Sequence, residues 1–200
     1  VMSRDTGKEL PWGNLTGIRP AKIPGMLFEQ GMREEQVRKT MKETYLISDE
    51  KLNLAIDISR RESRILSDIN YKEGYSLYVG IPFCPTTCLY CSFTSYPISM
   101  YKDKVDSYVD SVIKEIKFLG EQLKGRELNT VYIGGGTPTT LEPDQMDRLI
   151  TSLKENFDFS TVREFTVEAG RPDSITEEKL KTLNKHNVSR ISINPQTMNQ

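Results

Sequence analysis

The sequence predicts an α/β protein, a partial (β/α) barrel with its first four βα units, preceded by a mostly helical N-terminal region. Two observations carry this prediction. From about residue 75 onward, short runs rich in β-branched and aromatic residues alternate with longer amphipathic segments, which is typical of βαβ units and a parallel sheet. Before that point, apolar residues recur at helical spacing.

The N-terminal region divides into two stretches of different composition. Residues 1–30 contain prolines and glycines at a density that predicts irregular structure. Apolar residues then predict helices at about 32–46 and 49–67, whose charged faces we expect to be solvated. Helix breakers cluster near residues 68–75, so we expect an N-terminal extension over 1–70.

The remainder, residues 71–200, is expected to form the first part of the barrel. Four β-rich runs predict its strands, at 77–81, 130–133, 164–167 and 190–193. Amphipathic segments between them predict helices, at 100–123, 143–157 and 176–184. Right-handed crossovers bring the carboxyl ends of such strands to one edge, where α/β folds bind ligands. Because the chain stops just after an apolar run, we expect it to continue beyond residue 200.

The composition is that of an ordinary globular protein and argues against several functions. The 200 residues are 36% hydrophobic and 28% charged, with a formal net charge of −1, which gives no reason to expect a nucleic-acid partner. No apolar run approaches the roughly 20 residues of a membrane-spanning helix, so no membrane span is expected. Three tightly clustered cysteines and no visible secretory signal favour a metal site in a reducing compartment, and we therefore expect a cytoplasmic protein.

All three cysteines lie in one loop after the first predicted strand, as Cys84, Cys88 and Cys91. The spacing is C-x3-C-x2-C, and a loop allows the three side chains to converge on one group. Three thiolates can hold three irons of a cubane 4Fe–4S cluster, which leaves the fourth iron open for chemistry. A structural zinc site is the alternative, but it needs a fourth ligand, and the single histidine, His186, falls near the end of a predicted helix.

The cysteine motif and its surroundings carry a family resemblance. With the aromatic Tyr90 before its last cysteine, the motif resembles that of the radical S-adenosylmethionine superfamily. The text from Tyr78 to Cys84 and the pair Ser92-Phe93 are similar to the oxygen-independent coproporphyrinogen III oxidase (coproporphyrinogen dehydrogenase) family and its relatives. The resemblance covers about residues 75–200, and residues 11–20 are similar to a long form of that family with an N-terminal extension.

The resemblance implies two cofactors and a reaction. Cys84, Cys88 and Cys91 would hold the 4Fe–4S cluster, whose fourth iron would bind S-adenosyl-L-methionine and cleave it to a carbon radical. That radical would take hydrogen from propionate side chains of coproporphyrinogen III. Each propionate would lose carbon dioxide and an electron and become a vinyl group of protoporphyrinogen IX, in haem biosynthesis. The implied partners are a porphyrinogen-type substrate and an electron donor such as flavodoxin or ferredoxin.

A glycine loop, residues 134–139, follows the second predicted strand. It lacks the third glycine of the dinucleotide fingerprint and the Gly-Lys-Ser/Thr of a P-loop. Glycines let a backbone approach a ligand closely, so we expect exposed carbonyls and amides here to grip the amino group of the methionine moiety. The resemblance places that contact on Gly135, Gly136 and Thr137.

Four further residues match cofactor contacts of the resembled family: Tyr78, Tyr90, Glu168 and Gln196. A carboxylate such as that of Glu168 can accept hydrogen bonds from ribose hydroxyls or from a cationic amine. Plainer interpretations also exist, with Glu168 as a solvated strand end, Tyr78 as core and Tyr90 as a packing residue.

Departures from the family pattern leave alternatives for the substrate, and one of them is Pro195, which stands where a small aliphatic residue is common. Gly80 stands where better-known oxidases carry a histidine, and Ser92-Phe93, which replaces an extra cysteine, is similar to related haem chaperones. The alternatives are a haem-binding or haem-delivery protein on the same scaffold, and a radical methyltransferase or porphyrin ring-opening enzyme. A structural zinc module is the remaining one.

Overall fold

The computed structural model describes residues 5–17 and 19–199. The chain forms two compact units, one on each side of the bond between Ile69 and Asn70. The predicted fold class is confirmed, because the second unit is a parallel sheet with helices and the first is mostly helical. The assignment of residues 1–70 as an extension and 71–200 as a barrel portion stays a prediction. In the described ranges, no helix is both long and apolar enough to cross a membrane.

The described part of the first unit packs its helices around a small apolar core. The helices are α1 (Lys22–Glu29), α2 (Glu34–Tyr45) and α3 (Asp49–Leu66). The buried core residues come from α2, α3 and the turn between them: Val37, Met41, Ile47, Leu52 and Ile56. The side chain of Ser48 begins α3 by accepting a hydrogen bond from the Lys51 amide. The helices predicted at about 32–46 and 49–67 correspond to α2 and α3, which begin and end close to those positions.

Helix α1 corrects the expectation that residues 1–30 are irregular throughout. The sequence does not predict this helix, because Pro24 and Gly25 are residue types that usually interrupt helices. Pro24 is the third residue of α1, where a backbone N–H has no partner within the helix, so its missing donor breaks no bond. Gly25 lies against α3, and a Cβ there would be 3.2 Å from the Ser59 hydroxyl. Residues 7–17 have neither helix nor strand, as expected.

The second unit is built on a parallel sheet whose strands lie side by side in sequence order. They are β1 (Tyr75–Ile81), β2 (Leu128–Gly135), β3 (Glu164–Glu168) and β4 (Arg190–Ser192). These are the four predicted strands, and they form an open sheet, as a partial barrel requires. One row of residues in register crosses the whole sheet: Tyr78, Tyr132, Thr166 and Arg190.

The helices of the second unit lie between the strands along the chain, as α4 (Val105–Gln122), α5 (Pro143–Asn156) and α6 (Glu177–Lys185). One differs from its prediction, because the segment expected to be helical from residue 100 starts as a short helix, Ile98–Tyr101, and a 3-10 turn, Lys102–Lys104. The Tyr101 ring packs against Tyr96, with ring centroids 5.0 Å apart. This contact ties the short helix to the end of the cysteine loop.

Alternation along the strands separates an apolar face from a polar one. The apolar side chains are buried in one core with helix residues such as Leu149: Val79, Ile81, Val131, Ile133, Phe165 and Val167. The row that includes Tyr78 and Tyr132 lies on the opposite face, because successive side chains of a strand point to opposite sides. Tyr78 on that face is 64% exposed. Tyr78, on the polar face, is therefore accessible near the carboxyl edge of the sheet, where the other predicted site residues lie.

Candidate functional site

A cavity of about 340 Å³ lies at the carboxyl ends of the strands. Its lining includes every residue that the sequence predicts for the cluster and the cofactor: Tyr78, Cys84, Cys88, Tyr90, Cys91, Gly135, Gly136, Thr137, Glu168 and Gln196. Parallel strands bring these distant segments together because their carboxyl ends meet at one edge. The volume falls within the range of about 300–1,000 Å³ that is usual for small-molecule sites. The roles of these residues stay predictions.

The cysteine loop is closed at its base by two short parallel strands, Phe83–Cys84 and Tyr96–Pro97. The Tyr96 amide also donates to the Pro82 carbonyl at 2.8 Å. Within the loop, the Cys91 amide donates to the Cys88 carbonyl at 3.0 Å, which turns the chain between these two cysteines. All three thiols are free and partly exposed, so the loop presents them to a single cavity.

Three free thiols that line one cavity are a donor set that fits a cubane cluster. Among the described residues, no three His, Cys, Asp or Glu side chains form a group that could hold one metal ion. In a cubane each thiolate binds a different iron, so the ligands lie farther apart than those of one ion. His186 does not supply a zinc ligand beside the cysteines, because its Nε2 lies 2.8 Å from Asp147 Oδ1 and it is not among the residues lining the cavity.

The glycine loop packs directly on the cysteine segment. The Gly136 amide donates to the Ile81 carbonyl at 2.7 Å, and the Thr137 amide donates to the Phe83 carbonyl at 2.8 Å. A Cβ at Gly136 would lie 2.6 Å from the Phe83 oxygen and 3.0 Å from Cys84 Sγ, so glycine is required for this approach. The Thr137 hydroxyl also donates to Cys84 Sγ at 3.5 Å.

These contacts correct one expectation about the loop. The Gly135 amide donates to Glu168 Oε2 at 3.1 Å, and the amides of Gly136 and Thr137 have the carbonyl partners just described. The expectation of exposed amides at Gly135, Gly136 and Thr137 is therefore wrong, whereas binding of the ligand by this loop stays a prediction. An ammonium group is purely a donor, so carbonyl oxygens are the groups of this loop suited to it.

Glu168 ends β3 and is held by two donors. Besides the Gly135 amide, the Tyr132 hydroxyl donates to Glu168 Oε1 at 2.6 Å. The hydrogen bond to this carboxylate, together with partial burial, raises the pKa of Tyr132 to about 12. Tyr78 stacks on Tyr132, with ring centroids 5.8 Å apart and 11° between the ring planes. Glu168 is thus a positioned carboxylate rather than a solvated strand end, and the exposed Tyr78 is not a core residue.

Tyr90 and Gln196 close another side of the cavity. The Tyr90 hydroxyl donates to Gln196 Oε1 at 2.9 Å, and Gln196 Nε2 donates to the Gly170 carbonyl at 2.7 Å. Gln196 has a left-handed backbone, with φ of 65°. The contact joins the cysteine loop to the segment after β4, so Tyr90 does more than pack.

Reasoning from the sequence misses several residues of the site, and Thr86, Tyr132 and Arg171 are the ones whose side chains contact the predicted residues or the cysteine loop. Tyr132 is in register with Tyr78 on the polar face, and the alternation along β2 is the signal that points to it. Arg171 is three residues beyond Glu168 and makes hydrogen bonds to Thr86 and to Cys88 Sγ. The contacts of Arg171 join residues more than 80 positions apart in the chain, so they depend on the fold and no local sequence pattern predicts them.

The fold and the cavity together define a class of α/β protein in which a cysteine loop and a glycine loop share one ligand site at the carboxyl edge of a parallel sheet. The chain belongs to the radical SAM superfamily, whose model matches residues 78–200. Membership in this superfamily implies a 4Fe–4S cluster and S-adenosylmethionine as cofactors. The matched range includes every predicted site residue.

Two individual relatives are similar to this chain in sequence. The chain is 44% identical over 201 residues to the oxygen-independent coproporphyrinogen-III oxidase-like protein HemZ of Bacillus subtilis (strain 168), covering 98% of this chain and 40% of that protein. It is 40% identical over 124 residues to the heme chaperone HemW of Lactococcus lactis subsp. lactis (strain IL1403), covering 62% of this chain and 31% of that protein. The chain therefore spans less than half the length of these relatives.

A solved structure agrees with the fold. The coproporphyrinogen III oxidase HemN from Escherichia coli, described as a radical SAM enzyme, matches with a TM-score of 0.55 and 30% sequence identity. The match covers 68% of this chain and 32% of that protein. It shows the same fold over most of this chain.

Proposed function

We propose that the protein is a radical S-adenosylmethionine enzyme that converts propionate side chains of coproporphyrinogen III to vinyl groups by oxidative decarboxylation. The observation that carries the proposal is the shared cavity, in which three free thiols face a glycine loop and the Glu168 carboxylate. The similarity to HemZ over nearly the whole chain and the fold of HemN support this choice of substrate.

The cluster would be held by Cys84, Cys88 and Cys91, which stand free on one wall of the cavity. When bound, the reduced cluster and S-adenosylmethionine would supply a carbon-centred radical that removes a hydrogen atom from a propionate. The propionate would then release carbon dioxide and pass its remaining electron to an external electron acceptor. The proposal includes an electron donor such as flavodoxin or ferredoxin. It also includes a cytoplasmic location, because unpaired, accessible thiols persist in a reducing compartment.

Around the cofactor, the chain's own residues would position and enclose it. Carbonyl oxygens at Gly135 and Gly136 suit the methionine amino group, because the amides there already have partners. Glu168 would accept hydrogen bonds from the cofactor in an orientation that Tyr132 fixes. The hydrogen-bonded pair Tyr90 and Gln196 would close the cavity on the side of the fourth strand and so exclude water.

The test is anaerobic turnover of the reconstituted protein with S-adenosylmethionine, a reductant, an electron acceptor for the final electron, and coproporphyrinogen III. We expect 5′-deoxyadenosine together with a product that has lost one carbon dioxide for each vinyl group formed. Cys88→Ala is expected to remove the cluster absorbance and both products. Deoxyadenosine without any decarboxylated porphyrin would contradict the substrate, and a colourless wild-type protein containing zinc would contradict the enzyme class.

The second candidate is a haem chaperone on the same scaffold. The similarity to HemW favours it, and so does Phe93, which lines the cavity and is 75% exposed, as a flat apolar contact for a macrocycle. Haem titration separates the two candidates. Tight, stoichiometric haem binding without porphyrin turnover would favour the chaperone, whereas turnover without haem binding would favour the oxidase.

A further inference from the structure

Arg171 is held rigidly beside the cysteine loop. It lies in the segment after β3, and its side chain is only 21% exposed. Its Nε and Nη2 donate to the two oxygens of Asp173, at 3.1 and 2.7 Å. A bidentate pair of this kind fixes the plane of the guanidinium group as well as its position. The third nitrogen, Nη1, is thereby aimed away from Asp173.

The free edge of this guanidinium group faces the cysteine loop. Nη1 carries two hydrogens, and it lies 3.1 Å from the Thr86 hydroxyl oxygen and 3.6 Å from Cys88 Sγ. Both partners belong to the cysteine loop, more than 80 residues earlier in the chain. Arg171 therefore places a fixed positive charge and a hydrogen-bond donor on one sulfur of the site.

The charge balance of the cavity gives this contact its importance. Among the described residues that line the cavity, Arg171 is the only one with a cationic side chain. The Tyr90 hydroxyl, a neutral group, donates to Gln196 and also lies beside Cys88, so it brings no charge to that sulfur. The reduction potential of an iron–sulfur cluster depends on its net charge and on hydrogen bonds to its sulfurs. A cation at a ligand sulfur stabilises the more negative, reduced state more than the oxidised state.

We infer that Arg171 is a positioning residue that raises the reduction potential of the cluster by holding Nη1 against the Cys88 thiolate. The inference rests on the proposed function, because it requires that Cys88 bind the cluster. It assigns to Asp173 the task of orienting the guanidinium group and to Thr86 that of fixing the loop. The effect is on the ease of electron uptake and is measurable without substrate.

The experiment is a redox titration monitored by electron paramagnetic resonance, without substrate, on anaerobically reconstituted protein. The variants are Arg171→Met and Arg171→Gln, which remove the charge, and Arg171→Lys, which keeps the charge but loses the planar fork. Samples are matched by iron and sulfide content. The control is Arg148→Met, because Arg148 is also paired with carboxylates, Asp106 and Asp110, but does not line the cavity.

We expect Arg171→Met and Arg171→Gln to lower the equilibrium constant for one-electron reduction about tenfold, which corresponds to about 59 mV. Arg171→Lys should lower it less, and Arg148→Met should leave it unchanged. If Arg171→Met fails to hold a cluster, the other two variants decide by the same measurement. Potentials equal to that of the wild type in the variants that hold a cluster would overturn the inference.

The two proposals fail in different ways. A wild-type protein that binds the cluster and cleaves S-adenosylmethionine, with variants of unchanged potential, overturns only the role of Arg171. A wild-type protein with no iron–sulfur cluster overturns the proposed function, and the role of Arg171 with it.

Discussion

At the scale of single residues, Gly136 shows how little space separates the two loops of the site. We expect Gly136→Ala to lower the free energy of unfolding by about 1–3 kcal/mol, since the added Cβ would lie 2.6 Å from the Phe83 carbonyl oxygen and the loop must shift. Iron content after reconstitution should fall as well, because the shift displaces Cys84. Urea unfolding and iron analysis measure the two effects.

The matched control for this substitution is Gly80→Ala on the neighbouring strand. A Cβ at Gly80 would meet its nearest atom, on the Tyr78 ring, at 3.7 Å, an ordinary contact. We therefore expect stability and iron content close to those of the wild type. Equal losses in both variants would show that the close approach at Gly136 is unimportant.

The pair formed by Tyr132 and Glu168 gives a prediction about pH. The pKa of Tyr132 is raised to about 12 from a model-compound value of 10.0, chiefly by its hydrogen bond to the Glu168 carboxylate. The unfolded chain then loses the phenolic proton at lower pH than the folded chain does. The stability that this bond contributes is fully present below about pH 10 and is lost as the pH rises through 12.

Replacing the carboxylate should move this titration. In Glu168→Gln we expect the pKa of Tyr132 to fall toward its ordinary value, because the neutral amide no longer disfavours the phenolate. Absorbance titration of tyrosinate, with Tyr132→Phe to identify the signal, measures it. Glu164→Gln is the control, since its carboxylate accepts from the Thr166 hydroxyl on the same strand. A high pKa that persists in Glu168→Gln would contradict the assigned cause.

At the scale of elements, a buried lysine fastens helix α6 to the end of the glycine loop and to the turn after β3. Lys179 Nζ donates to the carbonyls of Thr139 and Ser174, at 2.7 and 3.3 Å. We expect Lys179→Met to lower the free energy of unfolding by about 1–3 kcal/mol, because it leaves buried carbonyls without a donor. Urea unfolding measures the loss. Lys181→Met, at an exposed lysine paired with Glu177, should change stability by less than about 0.5 kcal/mol.

The spacing of apolar residues in the sequence is enough to locate most helices and strands. Buried side chains recur at every second residue of a strand and at about every third or fourth residue of a helix. Helix α1 is not predicted from the sequence, because Pro24 and Gly25 usually interrupt helices, although the first turn of a helix tolerates a proline. In the site, the cysteine and glycine loops are visible because they are continuous in sequence. Tyr132 and Arg171 are not, because their importance comes from strand register and from a turn that folds back on the cysteine loop.

At the scale of the whole molecule, each compact unit has its own apolar core. We expect Leu52→Ala in the first core and Leu149→Ala in the second each to cost about 2–5 kcal/mol, because both side chains are almost fully buried. Hydrogen exchange measured by mass spectrometry should show faster exchange in peptides of the altered unit. Equal acceleration in both units from either change would show that they unfold together.

The hydrogen bond from Tyr90 to Gln196 spans 106 positions of the chain. A ribosome that has made the cysteine loop has still to add the helices α4, α5 and α6 and the strands β2, β3 and β4 before the partner amide of Gln196 emerges. Contacts between such distant residues form late, since a long stretch of chain must first be ordered. The cavity that this pair closes is therefore complete only after the fourth strand has been made, and a nascent chain halted earlier would leave its three thiols more exposed.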